Sequence, residues 1–335
     1  MKILRYILLP IVPIYFLISW FRNKLFDLGI FASTSYDLPI ICVGNLSVGG
    51  TGKTPMTEYL VRLLRQTKRV AILSRGYKRE SQGFIIADKH ATVRSIGDEP
   101  FQFYSKFDDI IVSVDANRRN GISKLLTLDK RPEVILLDDA YQHRKVKAGL
   151  YILLTAYDDL YSDDIVLPTG NLREPRIGAK RADVIIITKC PMDLQENEKI
   201  ELRSKLNVLP SQKLFFSTIA YSETIYSSKE SQPISNLQNI KFTLVTGIAN
   251  AKPLIDHLKH RGLEFEHLNF KDHHNFSGDE LGSLKEKELI LTTEKDFMRL
   301  RDDLEHRNLY YLPIETQFTN AGDLDKLIKN FVVRN

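Results

Sequence analysis

Short apolar runs and amphipathic stretches alternate along most of this chain. Strands are expected at 39–43, 70–74, 110–114, 134–137, 151–154 and 184–188, each a short run dominated by Val, Ile and Leu. Helical spacing separates them at 56–65, 100–106 and 118–126. A second αβ series occupies 242–246, 251–261, 263–268, 277–286, 289–292 and 309–313, after a Ser-, Glu- and Gln-rich stretch at 221–237 that reads as a linker. Strand and helix in alternation predict parallel sheets covered by helices. The expected architecture is α/β, with a parallel-sheet nucleotide-binding core at 26–222 and a smaller α/β domain at 223–335.

The amino terminus breaks this rhythm. Tyr6 to Phe21 carries no charge, and its flanks bear Lys2, Arg5, Arg22 and Lys24. Sixteen helical residues span ~24 Å, short of the ~30 Å bilayer core. Pro10 and Pro13 should bend or delay the helix. Basic flanks with Trp20 and Phe21 suit a headgroup boundary, so residues 1–25 are expected to lie at a membrane interface. A secretory signal fits less well, because no small-residue cleavage site follows.

The apolar fraction of 43% and charged fraction of 27% exclude wholesale disorder. Two cysteines, Cys42 and Cys190, form no CxxC pair, so neither a disulfide framework nor a zinc knuckle is expected. The net charge of +5 is not gathered into an aromatic-interleaved basic stripe, which argues against nucleic-acid binding. No obligatory protein partner is expected.

The densest chemistry follows the first core strand. Residues Ser47, Val48, Gly49, Gly50, Thr51, Gly52, Lys53 and Thr54 form a glycine-rich turn between a strand and a helix. Glycines let backbone N–H groups turn onto phosphate oxygens, and the helix start adds its positive end. Lys53 is placed to reach the β- and γ-phosphates of a nucleoside triphosphate, and the Thr54 hydroxyl to ligate Mg²⁺. Ser47 stands where the usual motif opens with Gly. Asp138 and Asp139 follow four aliphatic residues at 134–137, as metal-holding acids do at a buried strand end. A membrane-surface ATPase switch would carry a signature lysine at position 48, where this chain has Val48. A GTP-dependent metal-insertion chaperone would need a Cys/His cluster and a guanine motif. The run Thr188-Lys189-Cys190-Pro191-Met192-Asp193 supplies no such motif.

Taken in order, the motifs resemble the tetraacyldisaccharide 4′-kinase family, the lipid A pathway kinases of Gram-negative bacteria. The resemblance rests on Val43–Pro55, Ser74-Arg75-Gly76-Tyr77, Gly97-Asp98-Glu99-Pro100 and Asp138-Asp139-Ala140-Tyr141-Gln142-His143. It continues through Leu167–Pro175, Asp272-His273 and Thr293-Glu294-Lys295-Asp296. Ala140 and Thr169 depart from the usual Gly and Ala. The resemblance implies two α/β/α domains, the second closing over the cleft. It implies transfer of the γ-phosphoryl group of ATP to the 4′-hydroxyl of a tetraacylated glucosamine disaccharide 1-phosphate. It also implies a catalytic base at Asp98 paired with His273, beside Lys53 and Asp139. Arg173, with Asn171 and Glu174, suits capture of a phosphate. Arg75, Tyr77 and Arg118 are weaker candidates for headgroup contact. The expected place is the cytoplasmic face of the inner membrane, with ATP and Mg²⁺ as cofactors and a lipid as substrate.

Overall fold

The computed structural model describes residues 5–272, 274–304 and 308–334. Nine strands form one sheet, in the order Ile314–Phe318, Lys213–Tyr221, Val184–Thr188, Leu150–Ala156, Ile40–Asn45, Val134–Asp138, Val70–Ser74, Ile111–Val114 and Ile85–Ile86. Every pairing from Lys213–Tyr221 through to Ile111–Val114 is parallel, and only the two edge strands run antiparallel. The central strands Ile40–Asn45, Val70–Ser74, Val134–Asp138 and Val184–Thr188 are buried at every position, which is why they read as continuous apolar runs.

The second sheet has six strands, in the order Ser231–Pro233, Thr224–Tyr226, Leu309–Leu312, Ile290–Thr293, Phe242–Thr246 and Phe265–Asn269. Its two outermost strands on one side arise from the stretch expected to be a linker. Ile225, Ile234 and Leu237 are buried there and supply enough apolar surface to dock the segment.

The expected boundary also needs correction at its far end. Residues 223–335 do not form one unit. Ile314–Phe318 pairs antiparallel with Lys213–Tyr221 in the first sheet, and the following helix Ala321–Arg334 inserts Leu324, Ile328 and Val332 into the first core. The chain thus crosses between sheets twice at adjacent points, and Ser222 N–H donates to the Pro313 carbonyl at 3.0 Å where the crossings meet. A shared apolar cluster joins the two halves, with Ile96, Phe101 and Val114 packed among Val245, Ile290, Phe297 and Leu300.

The amino-terminal segment begins as a 3-10 helix, Tyr6–Ile11, containing Pro10, and continues as the α-helix Val12–Asp27 with Pro13 in its first turn. Pro13 sits where a missing N–H costs little. Ile7, Ile14, Leu17, Ile18 and Phe21 are each more than half exposed, whereas Asn23 and Phe26 are buried against the rest of the fold.

Candidate active site

The phosphate loop leaves the carboxyl end of Ile40–Asn45, and Gly52 caps the helix Lys53–Leu64. Gly52 has φ +84°, a left-handed conformation that glycine takes without strain. Side chains close the loop on itself and on its neighbours. Asn45 Nδ2 donates to Thr51 Oγ1 at 2.8 Å, Thr188 Oγ1 donates to the Thr51 carbonyl at 2.9 Å, and Lys189 Nζ donates to the Gly50 carbonyl. The opening residues pair with the segment 171–173: Val48 N–H donates to the Asn171 carbonyl at 2.8 Å, and Arg173 N–H to the Leu46 carbonyl at 2.7 Å. Ser47, in place of the usual glycine, is itself bridged to Leu172 and buried.

Lys53 Nζ lies 3.8 Å from Asp139 Oδ1. Arg173 Nη1 reaches both oxygens of the same carboxylate, at 2.9 and 3.1 Å. Burial works against ionisation of Asp139, but the two cations override it and hold the carboxyl below its usual range. Asp139 also has φ +46°, an uncommon backbone state for a residue with a side chain. Gly44 lets this strand end approach so closely, since a Cβ there would sit 2.7 Å from Tyr141 Cβ.

Asp138 has a different environment. Ser74 Oγ donates to Oδ2 at 3.1 Å, while the buried Oδ1 has no hydrogen-bond partner. Its carboxyl is pushed up to about 7 by burial and by the neighbouring charges of Glu99 and Asp139. Burial thus outweighs the pull of Lys53 on this carboxyl. Among the described residues no three Asp, Glu, His or Cys side chains converge as a complete metal cage. The pattern fits Mg²⁺, which is held by one or two carboxylates together with substrate phosphates and water.

Asp98 begins the helix Asp98–Lys106, and Glu99 follows in its first turn. The electrostatic effect of Glu99 on Asp138 sets this turn near the acid cluster. Asp98 itself pairs with Arg299 from the second sheet's layer. His273, the expected partner of Asp98, lies outside the described residues.

The other expected contacts divide. Asn171 and Arg173 line the loop beside the phosphate site, and Arg75 and Tyr77 are exposed just beyond the strand Val70–Ser74. Arg118 does not face a headgroup. It is 2% exposed and donates to the Asp115 and Asp138 carbonyls, at 2.7 and 3.1 Å, which makes it scaffold beneath the acid cluster. Glu174 is also 2% exposed, with its oxygens taken by Asn23, Gln142 and Arg181. Both corrections have one cause: a charged side chain with enough internal partners can be buried. Residues not singled out from the sequence include Glu99, Lys189 and Arg299. Glu99 stands in a quoted motif, but only the fold aims its helix turn at Asp138.

The family profile described as tetraacyldisaccharide-1-P 4′-kinase matches residues 4–333. The chain belongs to that family. A relative from Flavobacterium johnsoniae named tetraacyldisaccharide 4′-kinase is 54% identical, covering 100% of this chain and 99% of its own. Another of the same name from Flavobacterium psychrophilum is 49% identical, covering 99% and 98%. The crystal structure of LpxK from Aquifex aeolicus in complex with ATP superposes with a TM-score of 0.81 at 32% identity, covering 98% of this chain and 99% of that one. The glycine-rich loop and the acid pair lie at the carboxyl ends of two neighbouring parallel strands. The same edge is where open parallel sheets bind ligands.

Proposed function

We propose that this chain transfers the γ-phosphoryl group of ATP to the 4′-hydroxyl of a tetraacyldisaccharide 1-phosphate at a membrane surface. The observation that carries the reading is Lys53 facing Asp139 across 3.8 Å at the mouth of a closed phosphate loop, with Arg173 on the same carboxylate. Two cations and a ring of loop amides are what a triphosphate requires.

The amides of Gly49, Gly50 and Gly52, with Lys53, bind the β- and γ-phosphates. Thr54, Asp138 and Asp139 would hold Mg²⁺, which would supply positive charge to the phosphate oxygens. Arg173 leaves Asp139 or shares it as phosphate arrives, adding positive charge where negative charge gathers. Asp98 accepts the proton of the 4′-hydroxyl as its oxygen bonds to the γ-phosphorus. The bond from that phosphorus to the β–γ bridging oxygen breaks, and ADP leaves. The family's motifs make His273 the partner of Asp98 in this reading, and the packing of the second layer against the helix Asp98–Lys106 is part of the site.

The apolar face of Tyr6–Asp27 supports membrane association, since it is long and apolar enough to cross or lie in a bilayer. An ATP-using site beside it belongs on the cytoplasmic face of the inner membrane in a Gram-negative bacterium.

Two variants test the assigned roles. Lys53→Met should weaken nucleotide binding and abolish transfer. Asp98→Asn should leave ATP affinity within about threefold and lower transfer by about 100-fold or more. Transfer by Asp98→Asn within tenfold of wild type would remove Asp98 from the base role.

A further inference from the structure

The motif Thr293-Glu294-Lys295-Asp296 lies outside the set of groups assigned to the nucleotide, and its surroundings are rich in buried charge. Thr293 caps the helix Glu294–Leu300 by accepting from Asp296 N–H at 3.1 Å, and its hydroxyl donates to Asp296 Oδ2 at 2.8 Å. Gly247 N–H donates to that same oxygen at 2.8 Å. Asp296 is fully buried, and Arg299 Nη1 donates to its Oδ1 at 3.2 Å. With these donors in place, Asp296 holds an arginine rather than a ligand.

Arg299 then turns the rest of its fork outward. Nε donates to Asp98 Oδ2 at 3.1 Å, and Nη2 donates to the same oxygen. The Arg299 side chain is 8% exposed and that of Asp98 15%. At the opposite end of the two helices the signs reverse. Lys106, last residue of Asp98–Lys106, pairs with Glu294, first residue of Glu294–Leu300, at 2.9 Å. Lys106 also reaches Glu58 on the phosphate-loop helix at 2.7 Å. The helix bearing Asp98 is thus held at both ends by one helix of the second layer.

We propose that Arg299 is a positioning residue for phosphoryl transfer: it fixes the Asp98 carboxylate at the cleft and makes its placement depend on docking of the second layer. The inference rests on the reading of Asp98 as the base. Its physical basis is the planar fork, which can bond Asp296 and Asp98 at once and so transmits the rigidity of a saturated buried acid to a reactive one. A lysine at this position could satisfy only one carboxylate well.

The test is a cycle of Arg299→Met, Arg299→Lys and Asp98→Asn, measured by single-turnover phosphate transfer to the lipid. Arg299→Met should lower kcat by about 10- to 100-fold, the scale of a displaced catalytic group, with KM for ATP within threefold. Arg299→Lys should fall between Met and wild type, and added guanidinium ion should restore part of the Met variant's rate. In the Asp98→Asn background, Arg299→Met should cause no further loss, because the arginine acts through that carboxylate. An equal fold-loss in both backgrounds, or kcat within threefold of wild type for Arg299→Met, overturns the inference while leaving Asp98 as base. Asp98→Asn retaining activity within tenfold instead overturns the base reading on its own. If the Met variant does not fold, Arg299→Lys in the two backgrounds carries the same comparison, with equal losses again contradicting the proposal.

Discussion

Asn23 donates from its amide to Glu174 Oε2 at 2.6 Å, and so fastens the amino-terminal helix to the loop that bears Arg173. Tyr15 strengthens the joint, its hydroxyl donating to the Arg173 carbonyl at 2.8 Å. The exposed apolar helix and the segment that neutralises Asp139 are therefore one packed unit. Asn23→Ala leaves a buried carboxylate oxygen short of a donor, a loss of about 1–3 kcal/mol. Urea unfolding should show it as a lowered midpoint with an unchanged slope. A midpoint equal to wild type would mean that the contact contributes nothing.

Membrane attachment should follow the exposed face of that helix and not its buried one. Ile14 and Ile18 are 58% and 66% exposed. Replacing both with Asp removes side chains each worth about 1.5–3 kcal/mol when buried in an apolar phase. Sedimentation with anionic vesicles should then leave most of the protein in the supernatant, with its circular dichroism unchanged. Continued recovery in the pellet would assign attachment to another surface.

Asp139 is the shared partner of Lys53 and Arg173, so Asp139→Asn should release both cations from their resting positions. Loss of an electrostatic group at a developing charge costs about 100- to 1000-fold in kcat. Transfer assays at saturating ATP should fall in that range. A rate within tenfold of wild type would exclude Asp139 from the reaction.

Glu294 predicts a pH dependence of stability. Burial, with the nearby charge of Glu58, pushes its carboxyl up to about 7 from an ordinary 4.5, against the pull of Lys106 and Arg62. Between those values the folded protein holds a proton that the unfolded chain has released, so this group's contribution to stability falls as pH rises through the window. Glu294→Gln, which mimics the protonated form, should match wild type most closely at pH 5 and gain on it towards pH 8 in thermal melts. A difference between the two proteins that does not change with pH would contradict this.

The core of the first sheet was legible because strands buried on both faces must be apolar throughout. The expected run at 134–137 and the observed Val134–Asp138 differ by one residue. The return of the chain was hidden for the opposite reason. Ile314–Phe318 alternates, with Thr316 buried and Glu315 and Gln317 exposed, as an edge strand does, and its partner Lys213–Tyr221 lies about a hundred residues earlier. At the site, the glycine-rich turn between Ile40–Asn45 and Lys53–Leu64 was legible because so tight a passage from strand to helix calls for glycine, as Gly52 at φ +84° illustrates. Arg118 and Glu174 were not, since a charged residue code says nothing of whether carbonyls or amides wait for it inside. Arg299 was missed because its partners, Asp296 and Asp98, come together only when the two layers pack.

The most direct measurement is transfer of label from [γ-³²P]ATP, with Mg²⁺, to purified tetraacyldisaccharide 1-phosphate in detergent micelles. Label should appear in the lipid, on the 4′-oxygen, with wild-type protein and be absent with Lys53→Met. Label found only as inorganic phosphate, or equal transfer by the Lys53→Met variant, would contradict a phosphate-loop kinase acting on this acceptor.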